Sequence, residues 1–378
     1  MEKEKCRNSN FELMRIISMI FIILWHIIMH GNLITNCTNK SIILILELLQ
    51  YGIIVHVNSF VLLSGYFQSK SNFKLSKFLA LIFQVIFYST LILIVSIKLG
   101  FIQNYSVSTF LNNLSLTSVN NYWFIKMYIV VYLLSNMINK FINSLDRKSY
   151  KNVLIVLFII FSILMFLTGG RFFENNGYNF YNFIFLYMIG GYFRKYSIKE
   201  TYYFKRMSIN GYRCFLIFIF TILMFLNFSI NKIAVDINSY GGFFKDVSNV
   251  ILYSHLAYSS PFVMVQSVCY FLLFETLNIK SKVINFLSSC TFGIYLFHDN
   301  NFVRNIIYKL FLIDSGKFSG YNIFLGIFIT IVYIFIIGVL IEIIRKFIFW
   351  LLLKCKIIQS IINKFKEFIN SFNFKINW

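Results

Sequence analysis

Charge is scarce in this chain. Asp, Glu, Lys and Arg together make up 13% of its 378 residues, about half the share of an ordinary soluble domain. Proline is scarcer still. It occurs once, as Pro261, so the residue that most often breaks helices is nearly absent and long unbroken helices are expected. Cysteine occurs six times, as Cys6, Cys37, Cys214, Cys269, Cys290 and Cys355, with no two spaced like metal ligands. Most of these fall inside or at the ends of apolar segments, where cysteine behaves as a small hydrophobe. Neither a disulfide framework nor a metal centre is expected. Pro/Ser-rich linkers and internal repeats are missing, and there is no room for a large extra soluble domain. The alternating strands of about ten residues that build a membrane barrel are absent too.

What the chain has instead is apolar length. Apolar residues make up 58% of it, and the mean hydropathy is +0.72. Several stretches approach or exceed the eighteen or so apolar residues that cross a bilayer as a helix. The pattern predicts an all-α polytopic transmembrane bundle of about ten spans. They lie near 12–31, 42–67, 77–98, 122–141, 151–169, 179–195, 212–231, 259–277, 284–300 and 321–352. The first follows a short basic stretch, as a signal peptide would. It is long, lacks a small-residue cleavage site and contains Glu12 and Arg15, so it reads as a retained helix. Segments 99–121 and 232–258 read as the longest external loops, either covering a substrate site or connecting helices.

The net charge of +21 sets orientation. With a cytoplasmic N-terminus and ten spans, the inner segments hold about 25 Lys and Arg against about 8 outside, the bias of the positive-inside rule. Both termini are then cytoplasmic. Nucleic acid is not an expected partner, because no separate basic domain, zinc-finger spacing or recognition helix is present. Residues 353–378, including "KCKIIQSIINKFKEFINSF", repeat apolar residues at helical spacing with lysines on other faces. They are expected to form a basic amphipathic tail on the cytoplasmic surface, against membrane lipids.

The first span contains "RIISMIFIILWH", residues 15–26. Eleven residues at about 100° each end about 20° past three full turns, and about 16 Å along the axis. Arg15 and His26 therefore share a face, with Glu12 and His30 within about 60° of it. Ionisable side chains inside spans face a protein interior or a water-filled cavity, since lipid exposure costs about 2.5–3.5 kcal/mol. Arg15 is shallow enough to snorkel. His26 is deeper, and reads as a general base or as a neutral histidine bonded to a neighbouring helix. His26 and His30 also have the spacing of a metal pair, with no third ligand in view. An arginine fork suits phosphate. A ligand joining the two would be anionic at one end and reactive about 16 Å away, the shape of acyl-coenzyme A.

These residues carry a family resemblance over nearly the whole chain. The chain resembles the acyltransferase 3 family of integral membrane acyltransferases, which modify cell-surface polysaccharides and related glycans. The arginine, ten residues and a histidine of its first helix stand here as Arg15 and His26, after "NFELMRIISM". "FVLLSGYF" (60–67), "YWFIKMYIVVYLL" (122–134) and "TFGIYLFHDN" (291–300) add to it. The resemblance implies a membrane acyltransferase domain over residues 1–352, a cytoplasmic acyl-CoA co-substrate (acetyl-CoA expected) and a glycan or lipid-linked saccharide acceptor on the outer side. The implied location is the bacterial plasma membrane. Relatives often carry two arginines three apart after the second helix, where this chain has Lys74 and Lys77. Lysine keeps the charge and loses the fork.

Other positions have two readings. His298 and Asp299 either face the acceptor or cap the ninth span. His56, Asn58 and Ser59 either line a donor tunnel or bond between helices. Tyr122 and Trp123 offer a sugar platform or an interfacial belt. Lys126 lies one turn inside the same span. Arg171 and Glu174, within "TGGRFFENNGYNF" (168–180), suit carbohydrate or an ordinary glycine-rich turn. The expectation is an O-acyltransferase with His26 as general base, or transiently acylated itself, and Arg15 near the donor. Arg15, Lys74 and Lys77 would bind the donor, and Trp123, Lys126, Arg171, Glu174 and His298 the acceptor. A transporter of lipid-linked sugars is the rival; it would more often show interrupted helices or half-repeats, which the sequence does not display.

Overall fold

Helices form where the apolar runs place them. The computed structural model describes residues 9–102, 106–114, 122–170, 176–200, 202–310 and 322–354, and no strand occurs among them. The principal helices are α1 (Ser9–His30), α2 (Lys40–Ile53), α3 (His56–Gln68), α4 (Leu75–Lys98), α5 (Trp123–Ser144) and α6 (Arg147–Leu167, with a π turn at Ile159–Ile163). They continue with α7 (Phe180–Lys195), α8 (Ile209–Asn238), α9 (Gly242–Ser254), α10 (Pro261–Glu275), α11 (Lys282–Ser288), α12 (Thr291–His298), α13 (Asn301–Leu310) and α14 (Asn322–Lys354). Capping chemistry sets several starts. Asn39, Asp146, Asn179, Ser208 and Ser281 each accept a hydrogen bond from a first-turn amide, satisfying a donor that the helix leaves open. Pro261 opens α10, where its missing N–H costs nothing.

Among the described residues, seven segments are long and apolar enough to cross a membrane: Ser9–His30, Lys40–Gln68, Leu75–Lys98, Trp123–Ser144, Arg147–Leu167, Ile209–Asn238 and Asn322–Lys354. Shorter helices cover the other three expected spans. Helix α7 has 16 residues and α10 has 15, while 284–300 is divided between α11 and α12. The expected tail beyond Lys354 lies outside the described residues, as do Arg171 and Glu174.

The expectation of unbroken helices is wrong in two places, and neither involves proline. Between α2 and α3, His56 Nδ1 donates to the Ile53 carbonyl at 2.6 Å and the Ser59 hydroxyl donates to the Val55 carbonyl at 2.7 Å. The His56 ring takes a carbonyl that the helical ladder would otherwise use, while the Val55 carbonyl also keeps its ladder bond from the Ser59 amide at 3.0 Å. Between α11 and α12, the Thr291 hydroxyl donates to the Ser288 carbonyl at 2.8 Å, and Lys346 of α14 donates to the Ser289 carbonyl at 3.1 Å. Segment 232–258 is also not a simple loop. Helix α8 runs on to Asn238, and α9 folds back on it with Ser248 donating to the Ala234 carbonyl at 2.7 Å.

Helix α1 is the centre of the packing and touches α2, α3, α10, α11, α12 and α14. Its first turn is tied down: Ser9 accepts from the Ser281 amide at 2.9 Å, and Asn10 donates to the Phe274 carbonyl at 2.7 Å. Helices α3 and α7 cross closely. A Cβ on Gly65 would lie 2.0 Å from the Tyr187 carbonyl oxygen, and one on Gly190 2.1 Å from that of Leu62. Small residues let the two backbones meet, and this fixes where α3 stands opposite α1.

Candidate active site

One face of α1 lines a cavity from end to end. Glu12, Arg15, Met19, Ile22 and His26 all border it, spaced three and four apart as a single helical stripe requires. Helix α3 supplies the opposite wall through His56, Phe60, Ser64 and Gln68, α5 adds Trp123 and Tyr128, and α12 adds Thr291 and Tyr295. The cavity holds about 350 Å3. A second chamber of about 430 Å3 shares Glu12, Arg15, Phe67, Gln68, Leu81 and Tyr128 with it, and adds Ser71, Asn72, Lys77 and Tyr132. The two chambers therefore meet at Arg15, with Lys77 beyond it and His26 at the far end.

At the shared border, Arg15 Nη1 bonds Glu12 Oε2 at 2.7 Å, and the guanidinium lies 5.3 Å over the Phe67 ring. Ser288 also bonds Glu12. Glu12 is buried, so this pair is a fixed part of the wall. The remaining guanidinium nitrogens of Arg15 meet no hydrogen-bond partner among the described residues. Lys77 lines the outer chamber. Lys74 does not. It is exposed, and it is tied to the structure through its main chain, whose amide and carbonyl bond the Tyr132 hydroxyl at 3.3 Å.

At the other end, His26 Nδ1 lies 3.1 Å from His298 Nε2 and 3.5 Å from Asp299 Oδ1. Asp299 is held by Arg304 Nη2 at 3.1 Å, and Arg304 Nη1 reaches His30 Nε2 at 3.2 Å. His298 is thus buried behind His26 and does not border the cavity as an acceptor-binding residue would. The third ligand missing from the sequence reading also comes into view. Ligand atoms of His26, His30 and Asp299 lie within 4.8 Å of one another. The Arg304 guanidinium already bonds two of them, however, so a cation sits where a metal would be needed, and the cluster works as a hydrogen-bonded network.

Aromatic residues close the His26 end. Trp123 stacks on Tyr258 with centroids 5.8 Å apart and lies 4.4 Å from Tyr178. Tyr258 in turn donates to His56 Nε2 at 3.3 Å. His56 borders the cavity, whereas Asn58 bonds the Tyr258 carbonyl and Ser59 its own helix. Tyr122 is no platform: it is fully buried and donates to the Leu296 carbonyl at 2.8 Å. Lys126 does not border the cavity. Sequence reasoning missed Arg304, which follows the ninth expected span, and Tyr258, hidden in a segment read as a loop. No periodicity links either residue to His26.

No curated protein and no solved structure matches the chain. A family model described as an acyltransferase domain matches residues 8–343, a range that takes in both chambers, the Arg15–His26 stripe and the His298 network. With its apolar helices, the chain belongs to the acyltransferase 3 family of membrane acyltransferases.

Proposed function

We propose that this protein is an acyl-CoA-dependent O-acyltransferase, moving an acetyl group from the cytoplasmic side to a hydroxyl of a cell-surface or lipid-linked glycan. The observation that carries this reading is the joined pair of chambers with cationic Arg15 and Lys77 at one end and His26 at the other. Arg15 and His26 are about 16 Å apart along α1. Arg15 and Lys77 take the phosphates of the donor, and the narrow inner chamber takes the arm. His26 removes the proton from the acceptor hydroxyl as its oxygen bonds the thioester carbonyl carbon. The carbon–sulfur bond then breaks, and the coenzyme A thiolate leaves and takes a proton, so an ester and a thiol result. Trp123 and Tyr258 offer the acceptor sugar an aromatic edge.

Both helix interruptions serve the cavity: the first sets His56 into its wall, the second Ser288, Ser289 and Thr291. The test is complementation of cells lacking the protein with wild type or His26→Ala, read by mass spectrometry of surface glycans and by coenzyme A release from purified protein. Wild type alone is expected to restore an acetyl-sized mass and to release coenzyme A. Loss of whole glycans from the surface, with no coenzyme A released by wild type, would replace acyl transfer by transport.

A further inference from the structure

Two hydrogen bonds in series decide which nitrogen of His26 carries a proton. His298 lies in the last turn of α12 and is 1% exposed. Its Nδ1 is 2.8 Å from the Ile294 carbonyl oxygen, four residues earlier. A carbonyl only accepts, so Nδ1 of His298 holds a hydrogen. A neutral imidazole has one N–H, which leaves Nε2 of His298 as a bare acceptor. That atom faces Nδ1 of His26 at 3.1 Å. Two lone pairs do not attract, so with both rings neutral His26 Nδ1 is the donor. Asp299 Oδ1, at 3.5 Å from the same nitrogen, is a second acceptor beside it. Nε2 of His26, which meets no partner among the described residues, then keeps its lone pair.

We infer that His298 is a positioning residue that holds His26 in the tautomer with hydrogen on Nδ1 and directs its bare Nε2 to the acceptor hydroxyl. This rests on the acyl-transfer reading for its chemical purpose, though not for its geometry. When Nε2 takes the acceptor proton, His26 becomes an imidazolium whose Nδ1–H bond to His298 is already in place and whose charge lies beside Asp299. No group has to rotate during the step, which is the economy that an orienting partner brings to a catalytic histidine.

The experiment is nitrogen NMR on the full chain in lipid nanodiscs with labelled histidine. Imidazole nitrogens with and without hydrogen resonate far apart, and the signals of His26 are identified by their loss in His26→Gln. The expected wild-type spectrum has hydrogen on Nδ1 of His26. It is expected to persist in His298→Gln, whose amide oxygen accepts, and to become a mixture in His298→Phe. Coenzyme A release should follow: kcat down by about 100-fold in His298→Phe, with the donor KM within about twofold, and largely rescued in His298→Gln. Hydrogen on Nε2 of wild-type His26, or a phenylalanine variant as active as glutamine, overturns the inference. The tautomer is read without turnover, so an inactive wild type with hydrogen on Nδ1 would count against the acyl-transfer reading while the positioning geometry stood.

Discussion

Arg15 has one observed partner, Glu12, and one proposed job, and substitutions separate them. It is expected to bind donor phosphate, and it neutralises the buried Glu12 at 2.7 Å. Arg15→Ala removes both, taking from the buried Glu12 the guanidinium it meets at 2.7 Å. Removing one partner of a buried pair costs about 3–5 kcal/mol, enough to unfold much of a protein whose total stability is about 5–15 kcal/mol. Loss of activity in Arg15→Ala would therefore say nothing about the donor. Arg15→Lys keeps a cation for Glu12 and loses the planar fork. A charge-assisted hydrogen bond contributes about 1.5–3 kcal/mol, so one phosphate bond lost corresponds to a donor KM raised about 10- to 150-fold. The double variant Glu12→Gln/Arg15→Gln removes the charge pair together. It is expected to recover most of the stability lost in Arg15→Ala while keeping the raised KM. The assays are unfolding in detergent and coenzyme A release against acyl-CoA concentration. A donor KM in Arg15→Lys within twofold of wild type, at unchanged stability, would refute the assignment of Arg15 to the donor.

Three other outcomes follow from the geometry. Lys77→Gln is expected to raise the donor KM severalfold and Lys74→Gln to leave it unchanged, because only Lys77 borders the outer chamber; titration of both variants with acyl-CoA decides it. Gly65→Ala and Gly190→Ala each force α3 and α7 apart, since the new Cβ meets a carbonyl oxygen at 2.0 and 2.1 Å, at about 1–3 kcal/mol apiece. The two share one displacement, so the double variant should lose less stability than the separate losses combined; strict additivity in an unfolding cycle would refute the shared crossing. Glu342→Ala leaves Arg345 without its 2.7 Å partner and removes the acceptor of Tyr88 and Gln84; a loss of about 3 kcal/mol is expected, with an unchanged unfolding midpoint as the contrary result.

What could be read from the sequence follows the range of the signal. Helix positions are written locally, in runs of apolar residues and in starts such as Asn39, Asp146, Asn179, Ser208 and Ser281, each of which caps its helix through contacts within three residues. The Arg15–His26 stripe is likewise a property of one helix, and its members do border one cavity. The helix breaks escaped notice because composition registers proline, whereas these breaks come from side chains competing for carbonyls: His56 for Ile53, Thr291 for Ser288. Partnerships across the bundle were hidden for a stronger reason. His26 and His298 are 272 positions apart, and Arg304 and His30, which meet at 3.2 Å, are 274 apart. Residue type narrowed the choice at such positions without assigning a role. His298 looked equally suited to face a sugar or to cap a helix, and the bond from its Nδ1 to Ile294 turns its other nitrogen toward His26. The order of dependence is therefore local helix, then shared face, then partner. The chemistry proposed for His26 requires all three, because a base on the correct face with the wrong nitrogen protonated would meet the acceptor hydroxyl with a hydrogen in place of a lone pair.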